Sequence, residues 1–141
     1  MQPSMAVESR NEFRSTFAAE PASVPVARHE LREWLEDGHI DEGRVPDVLL
    51  AVTEACANAA RHAYPGGEGV VRIQAVDTDG GLSIVVRDYG AGIQRARARS
   101  AGRGLGLPMM GRLATSLQIS TNPGFGTEVR MRFTGARRPV R

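Results

Sequence analysis

From residue 12 onward, short stretches of period-two patterning alternate with two longer stretches of helical period. Glu12 to Ala18 sets Phe13 and Phe17 among polar neighbours, the alternation of a half-buried strand, and reads as an edge strand. Ala27, Leu31, Trp34 and Leu35 recur at i, i+4, i+7 and i+8, which predicts a helix from Val24 to Asp37 stopped by Gly38. A longer helix follows from Pro46 to Tyr64, with Val48, Leu49, Val52, Cys56, Ala59, Ala60 and Ala63 on one side, and Pro65-Gly66-Gly67 ends it. Val70 to Val76 and Leu82 to Arg87 alternate as strands around the turn Asp79-Gly80-Gly81. A glycine-rich stretch and a short helix, Leu105 to Ala114, lead to a last strand pair, Leu117 to Thr121 and Glu128 to Phe133. This order predicts a two-layer α/β (α+β) sandwich, a mixed, mostly antiparallel sheet covered on one face by helices.

The long helix also carries a polar stripe. In Glu54-Ala-Cys-Ala-Asn58-Ala-Ala-Arg-His62 the three polar residues are four apart, so they fall within about 80° of one another. The apolar residues occupy the other side, which aims the stripe away from the core. Taken alone this is also the pattern of a solvated face. Two glycine segments change its meaning. Asp88-Tyr-Gly90-Ala-Gly92 begins where a strand ends, putting a carboxylate at the mouth of a cleft beside residues that permit close backbone approach. Gly102-Arg-Gly104-Leu105-Gly106 then opens a helix, whose unpaired N–H groups make a phosphate site. The run is no dinucleotide fingerprint, since the flanking parallel βαβ pattern and the acid about twenty positions on are missing.

Composition narrows the function. At 141 residues the chain suits one domain, 1–141, with a core over about 12–133 and flexible ends at 1–10 and 135–141. All eighteen basic residues are arginines, and sixteen acids leave a net charge of only +2. The absence of lysine excludes a Walker A loop and a eukaryotic-type protein kinase, each of which needs a lysine on the phosphates. Arginines cluster at Arg95, Arg97, Arg99 and Arg103 without interleaved aromatics, so direct nucleic-acid binding is not expected. The lone Cys56 sits on the apolar helix face and reads as a core residue. No stretch has the length of a membrane span, and the chain is expected to be cytoplasmic.

The ordered set of acid-x3-Asn-x3-His on a helix, Asp-x-Gly-x-Gly after a strand, a glycine loop leading into a helix, and Gly126-Thr127 opening a final strand resembles the Bergerat-fold ATPases. That superfamily includes sensor histidine kinases and type II topoisomerases. Within it, the stretch from Leu50 to Tyr64 is similar to the anti-sigma factor serine kinase branch, and the likeness runs from about Glu12 to Phe133. The resemblance implies that the chain binds ATP and Mg2+, with Asn58 the metal ligand, and that Asp88 accepts a hydrogen bond from the adenine amino group with Thr127 supporting the same edge. Gly90 and Gly92 would pass close to the base. Ile93 to Arg103 would form a lid, and Gly102, Gly104, Leu105 and Gly106 would face the phosphates. His62, a turn further on, either helps with phosphates or water or faces solvent. Glu54 stands where the family places the residue acting on a nucleophile, and a carboxylate there can be a general base.

The resemblance further implies a serine/threonine-protein kinase that holds an alternative sigma factor and phosphorylates its anti-anti-sigma antagonist, working as a homodimer. A non-catalytic, ATP-gated partner switch of the same fold is the alternative. His29-Glu-Leu-Arg32 looks like a histidine-kinase phosphoacceptor box, but His29 precedes Asn58 by only 29 positions, leaving no room for the helical hairpin those enzymes place between.

Overall fold

A computed structural model describes residues 5–8, 11–38, 40–64, 68–78, 81–90, 113–122 and 126–135. Its strands are β1 (Met5–Glu8), β2 (Glu12–Ala18), β3 (Val70–Thr78), β4 (Gly81–Asp88), β5 (Ser116–Asn122) and β6 (Gly126–Phe133). Its helices are α1 (Val24–Asp37), entered through a 3-10 turn at Pro21–Ser23, and α2 (Val45–His62). Each helix has proline in its first turn, where the missing N–H costs nothing. Gly38 closes α1 with its N–H on the Trp34 carbonyl at 3.1 Å, in extended rather than left-handed backbone.

The strands form one six-stranded sheet in the order β1-β2-β3-β4-β6-β5, and all five pairings are antiparallel. Two expectations are corrected here. Among the described residues the sheet is antiparallel throughout rather than mixed, and β2 is not an edge strand, because β1 pairs along its outer side. Residues 5–8 thus belong to the sheet, not to a loose end. Four residues are too few for alternation to stand out in a sequence.

Alternation along each strand decides which face is covered. Phe13 and Phe17 from β2, Val71, Ile73 and Ala75 from β3, Leu82, Ile84 and Val86 from β4, and Val129, Met131 and Phe133 from β6 are all buried. They share one core with Ala27, Leu31, Trp34 and Leu35 of α1 and Val48, Leu49, Val52, Cys56 and Ala59 of α2. α1 lies on β2, where the Phe13 and Trp34 rings pack tilted by 39° with centroids 5.9 Å apart, while α2 lies across β3 and β4. Each fully buried aliphatic or aromatic side chain stabilises this layer by about 1.5–3 kcal/mol relative to exposure. Cys56 belongs to it, and burial pushes its thiol up to about 12, so it is un-ionised at neutral pH. The intervening positions Arg72, Gln74, Val85, Arg87, Arg130 and Arg132 point to the uncovered face.

The helix expected over 105–114 and the lid over 93–103 fall almost wholly outside the described residues. Among the described residues, no helix is long and apolar enough to cross a membrane.

Candidate functional site

α2 aims its C-terminal end at the end of β4. The helix passes its last turn through Ala63, and at Gly90 a Cβ would collide with the Ala63 carbonyl. Glycine is therefore required at 90 for two backbones to cross, and its neighbour is α2. Gly126, at φ +98, is in the left-handed region, and a Cβ there would collide with the Asp88 carbonyl. Three segments converge at this point: the α2 terminus, the Asp88–Gly90 turn and the start of β6.

Asp88 is the polar centre of that convergence. It is only 6% exposed, and its Oδ1 accepts the Gly90 N–H at 3.0 Å and the Thr127 N–H at 3.2 Å. Burial raises its carboxyl above the ordinary aspartate range, while the two N–H groups and the nearby Arg87 charge pull the other way. Thr127 is equally buried, with its hydroxyl oxygen 3.5 Å from that of Thr121. On the opposite side of the sheet Arg87 lies 5.1 Å over the Tyr89 ring and pairs with Glu128 at 3.3 Å. A shallow cavity of about 350 Å³ opens on that outer face, lined by Arg72, Gln74, Val85, Arg87, Tyr89 and Glu128. It lies behind the turn, away from the Asp88 carboxylate.

The stripe on α2 leads away from Asp88. At 1.5 Å per residue, Asn58 lies about 7.5 Å and Glu54 about 13.5 Å along the helix from Ala63. His62 and Glu54 are half-buried. Asn58 departs from the expectation that the stripe points away from the core: it is 8% exposed, at the border of the buried arc, and among the described residues neither Nδ2 nor Oδ1 has a hydrogen-bond partner. Burial on that flank also takes in Ala51 and Ala55, so the covered arc of α2 is wider than its large apolar residues suggest. An amide buried without a partner costs about 1–3 kcal/mol.

The structure thus brings Asp88, Gly90 and Thr127 together at the end of α2, with His62, Asn58 and Glu54 leading outward from them. Gly92, Gly102, Gly104, Leu105 and Gly106 lie outside the described residues, as do the lid arginines. His29 forms an exposed i,i+4 pair with Glu33 at 2.7 Å on α1.

Residues 17–133 match the model of the histidine kinase-like ATPase domain. The chain belongs to that family. Among the curated relatives of this ATPase-domain member are anti-sigma F factors. One from Clostridium botulinum is 32% identical over 135 residues, 86% of this chain and 93% of the relative. Another, from Clostridium acetobutylicum, is 28% identical over 132 residues, 86% and 92% of the two chains. A third, from Caldanaerobacter subterraneus subsp. tengcongensis, is 32% identical over 97 residues, 62% and 68%. These place the chain in the anti-sigma branch of the family. The crystal structure of the RsbU and RsbW domains of Rv1364c from Mycobacterium tuberculosis shares the fold at a TM-score of 0.65 and 23% identity, over 99% of this chain and 35% of that one. ATP is the ligand implied by membership in an ATPase family.

Two features of the site had no sequence signal. Tyr64 follows the stripe as one more residue near a helix end, yet its hydroxyl bridges Val70 and Tyr89. Gly69 sits in an ordinary-looking glycine cluster, yet a Cβ there would overlap the Tyr64 ring.

Proposed function

We propose that this protein is an ATP-dependent serine/threonine-protein kinase and anti-sigma factor that binds an alternative sigma factor and phosphorylates its anti-anti-sigma antagonist. The observation that carries the reading is the layout along α2, from a backbone-held carboxylate at Asp88, through the amide of Asn58, unpartnered among the described residues, to the carboxylate of Glu54. A nucleotide laid on that line puts its base at Asp88 and its phosphates toward Glu54. Asp88 accepts from the adenine amino group, and Thr127 flanks the same edge.

Asn58 fits a hard cation: its amide oxygen is buried, it makes no bond among the described residues, and Mg2+ takes one or two protein ligands alongside phosphates and water. Among the described residues no group of three or more His, Cys, Asp or Glu is placed to hold a metal ion. When bound there, Mg2+ would neutralise phosphate charge. Glu54 takes the proton of the antagonist's serine hydroxyl as that oxygen bonds to the γ-phosphorus and the bond to the ADP oxygen breaks. The proposal sets the protein as a homodimer in the cytoplasm, the setting the family resemblance implies.

Pull-down from native lysate in ATP and again in ADP supplies the partners, and transfer to the captured antagonist tests the chemistry. Glu54→Gln should bind ATP as the parent does while serine phosphorylation falls by about 100-fold or more, the scale of general-base help. Transfer at the parent rate would remove Glu54 as the base. A parent protein that captures different partners in ATP and ADP but transfers no phosphate would be a partner switch rather than a kinase.

A further inference from the structure

Tyr64 stands just beyond α2, and both faculties of its hydroxyl are in use: it donates to the Val70 carbonyl at 2.7 Å and accepts the Tyr89 N–H at 2.8 Å. Its ring lies in the space a Gly69 side chain would need. The two ends it joins are the start of β3 and the turn that follows β4. That turn carries Asp88, and its next amide, Gly90 N–H, bonds back to Asp88 Oδ1. The Gly90 bond is internal and moves with the turn. The Thr127 N–H bond ties Asp88 to β6, and the Tyr64 bond ties the same turn to the end of α2.

We propose that Tyr64 is a positioning residue for base recognition: through the Tyr89 N–H its hydroxyl orients the Asp88–Gly90 turn against the end of α2, fixing the Asp88 carboxylate relative to Asn58 and Glu54. The inference rests on the reading that Asp88 meets the adenine amino group. A hydrogen bond constrains both distance and angle, whereas the packing of Gly90 on Ala63 sets only how near the backbones come. Both hydrogen bonds are exposed, so water can take them over if the hydroxyl is removed. Stability then changes little, but a mobile water does not hold the turn at one angle. Fold stability and base selectivity separate in this residue.

Titration calorimetry with ATP, ADP and inosine triphosphate, which lacks the amino group, tests it beside thermal unfolding. Tyr64→Phe keeps the ring and should melt within a few degrees of the parent. Its affinity for ATP and ADP should fall alike by about tenfold, one hydrogen bond's worth, with the Mg2+ dependence of ATP binding intact. The preference for ATP over inosine triphosphate should shrink toward one, which a tyrosine serving only to pack would not alter. Gly69→Ala keeps the hydroxyl but displaces the ring, and should lose the same preference. Asp88→Asn is measured alongside. If Asp88→Asn binds ATP like the parent, the adenine site is not on this turn, and the inference falls with the reading beneath it. If Asp88→Asn weakens binding while Tyr64→Phe and Gly69→Ala keep the parent affinity and preference, Tyr64 is a packing residue and the inference alone is overturned.

Discussion

At Asp88 two backbone N–H groups converge on one carboxylate oxygen, and two glycines allow neighbouring backbones to press against the turn. At Asn58, about 7.5 Å from Ala63 along the helix, a residue only 8% exposed has both amide atoms without a partner among the described residues. Among the described residues, Asp88 has its hydrogen bonds supplied and Asn58 does not. On the proposed function, the base-reading half has its hydrogen bonds in place before ligand arrives and the phosphate half gains interactions from the ligand. Sites of this kind carry local instability that a binding partner offsets.

The largest effect is expected where the finished end depends on backbone. Gly126→Ala places a Cβ against the Asp88 carbonyl from a φ of +98, which should destabilise the protein by about 2–4 kcal/mol in denaturant unfolding. Gly43→Ala is the control, because a Cβ there meets nothing nearer than Asp41 Oδ2 at 3.9 Å, and it should stay within about 0.5 kcal/mol of the parent. Equal effects from the two would deny the Asp88 turn its special packing.

Next comes the carboxylate. Asp88→Asn retains an acceptor for the Gly90 and Thr127 amides but removes the charge, so ATP and ADP should both weaken, by about 1.5–3 kcal/mol in calorimetry. The nucleotide-free variant should be no less stable than the parent at neutral pH. The sign follows from burial: a carboxyl whose folded value is raised holds its proton more tightly folded than unfolded, so it favours folding at low pH. That contribution is lost as pH rises from the ordinary aspartate range through the raised value. Stability of the parent relative to Asp88→Asn should therefore fall across that window, and a rise would contradict the burial account.

The smallest effect concerns a residue away from both ends. His29 pairs with Glu33 on an exposed face, so His29→Ala should change stability by no more than about 0.5 kcal/mol. Incubation of the parent with labelled Mg-ATP should leave no acid-labile phosphate on the chain. Acid-labile label that disappears in His29→Ala would turn the protein into a histidine autokinase.

The sequence pattern located α1 to its ends and most strands to within a residue or two, because alternation and helical period report which side of an element is covered. Periodicity does not report how far that cover extends around a helix. Asn58 was legible as one of three stripe residues, but its burial depends on what lies against the flank of α2, which no local pattern encodes. Glycine spacing likewise announced close approach at Gly90 without saying to what; the structure answers with the Ala63 carbonyl. Tyr64 was missed as a site residue because its partners are 6 and 25 positions away. β1 escaped because four residues are too few to display a period.

Asn58→Ala tests the contrast between the two ends most directly, through unfolding of the nucleotide-free protein and the melting shift produced by ATP with and without Mg2+. The account predicts a nucleotide-free variant as stable as the parent or more so by up to about 1 kcal/mol, since a buried unsatisfied amide has been removed. It also predicts an ATP-induced shift that no longer depends on Mg2+. A nucleotide-free variant destabilised by more than about 1 kcal/mol, with its Mg2+ dependence intact, would make Asn58 a structural amide and contradict the account.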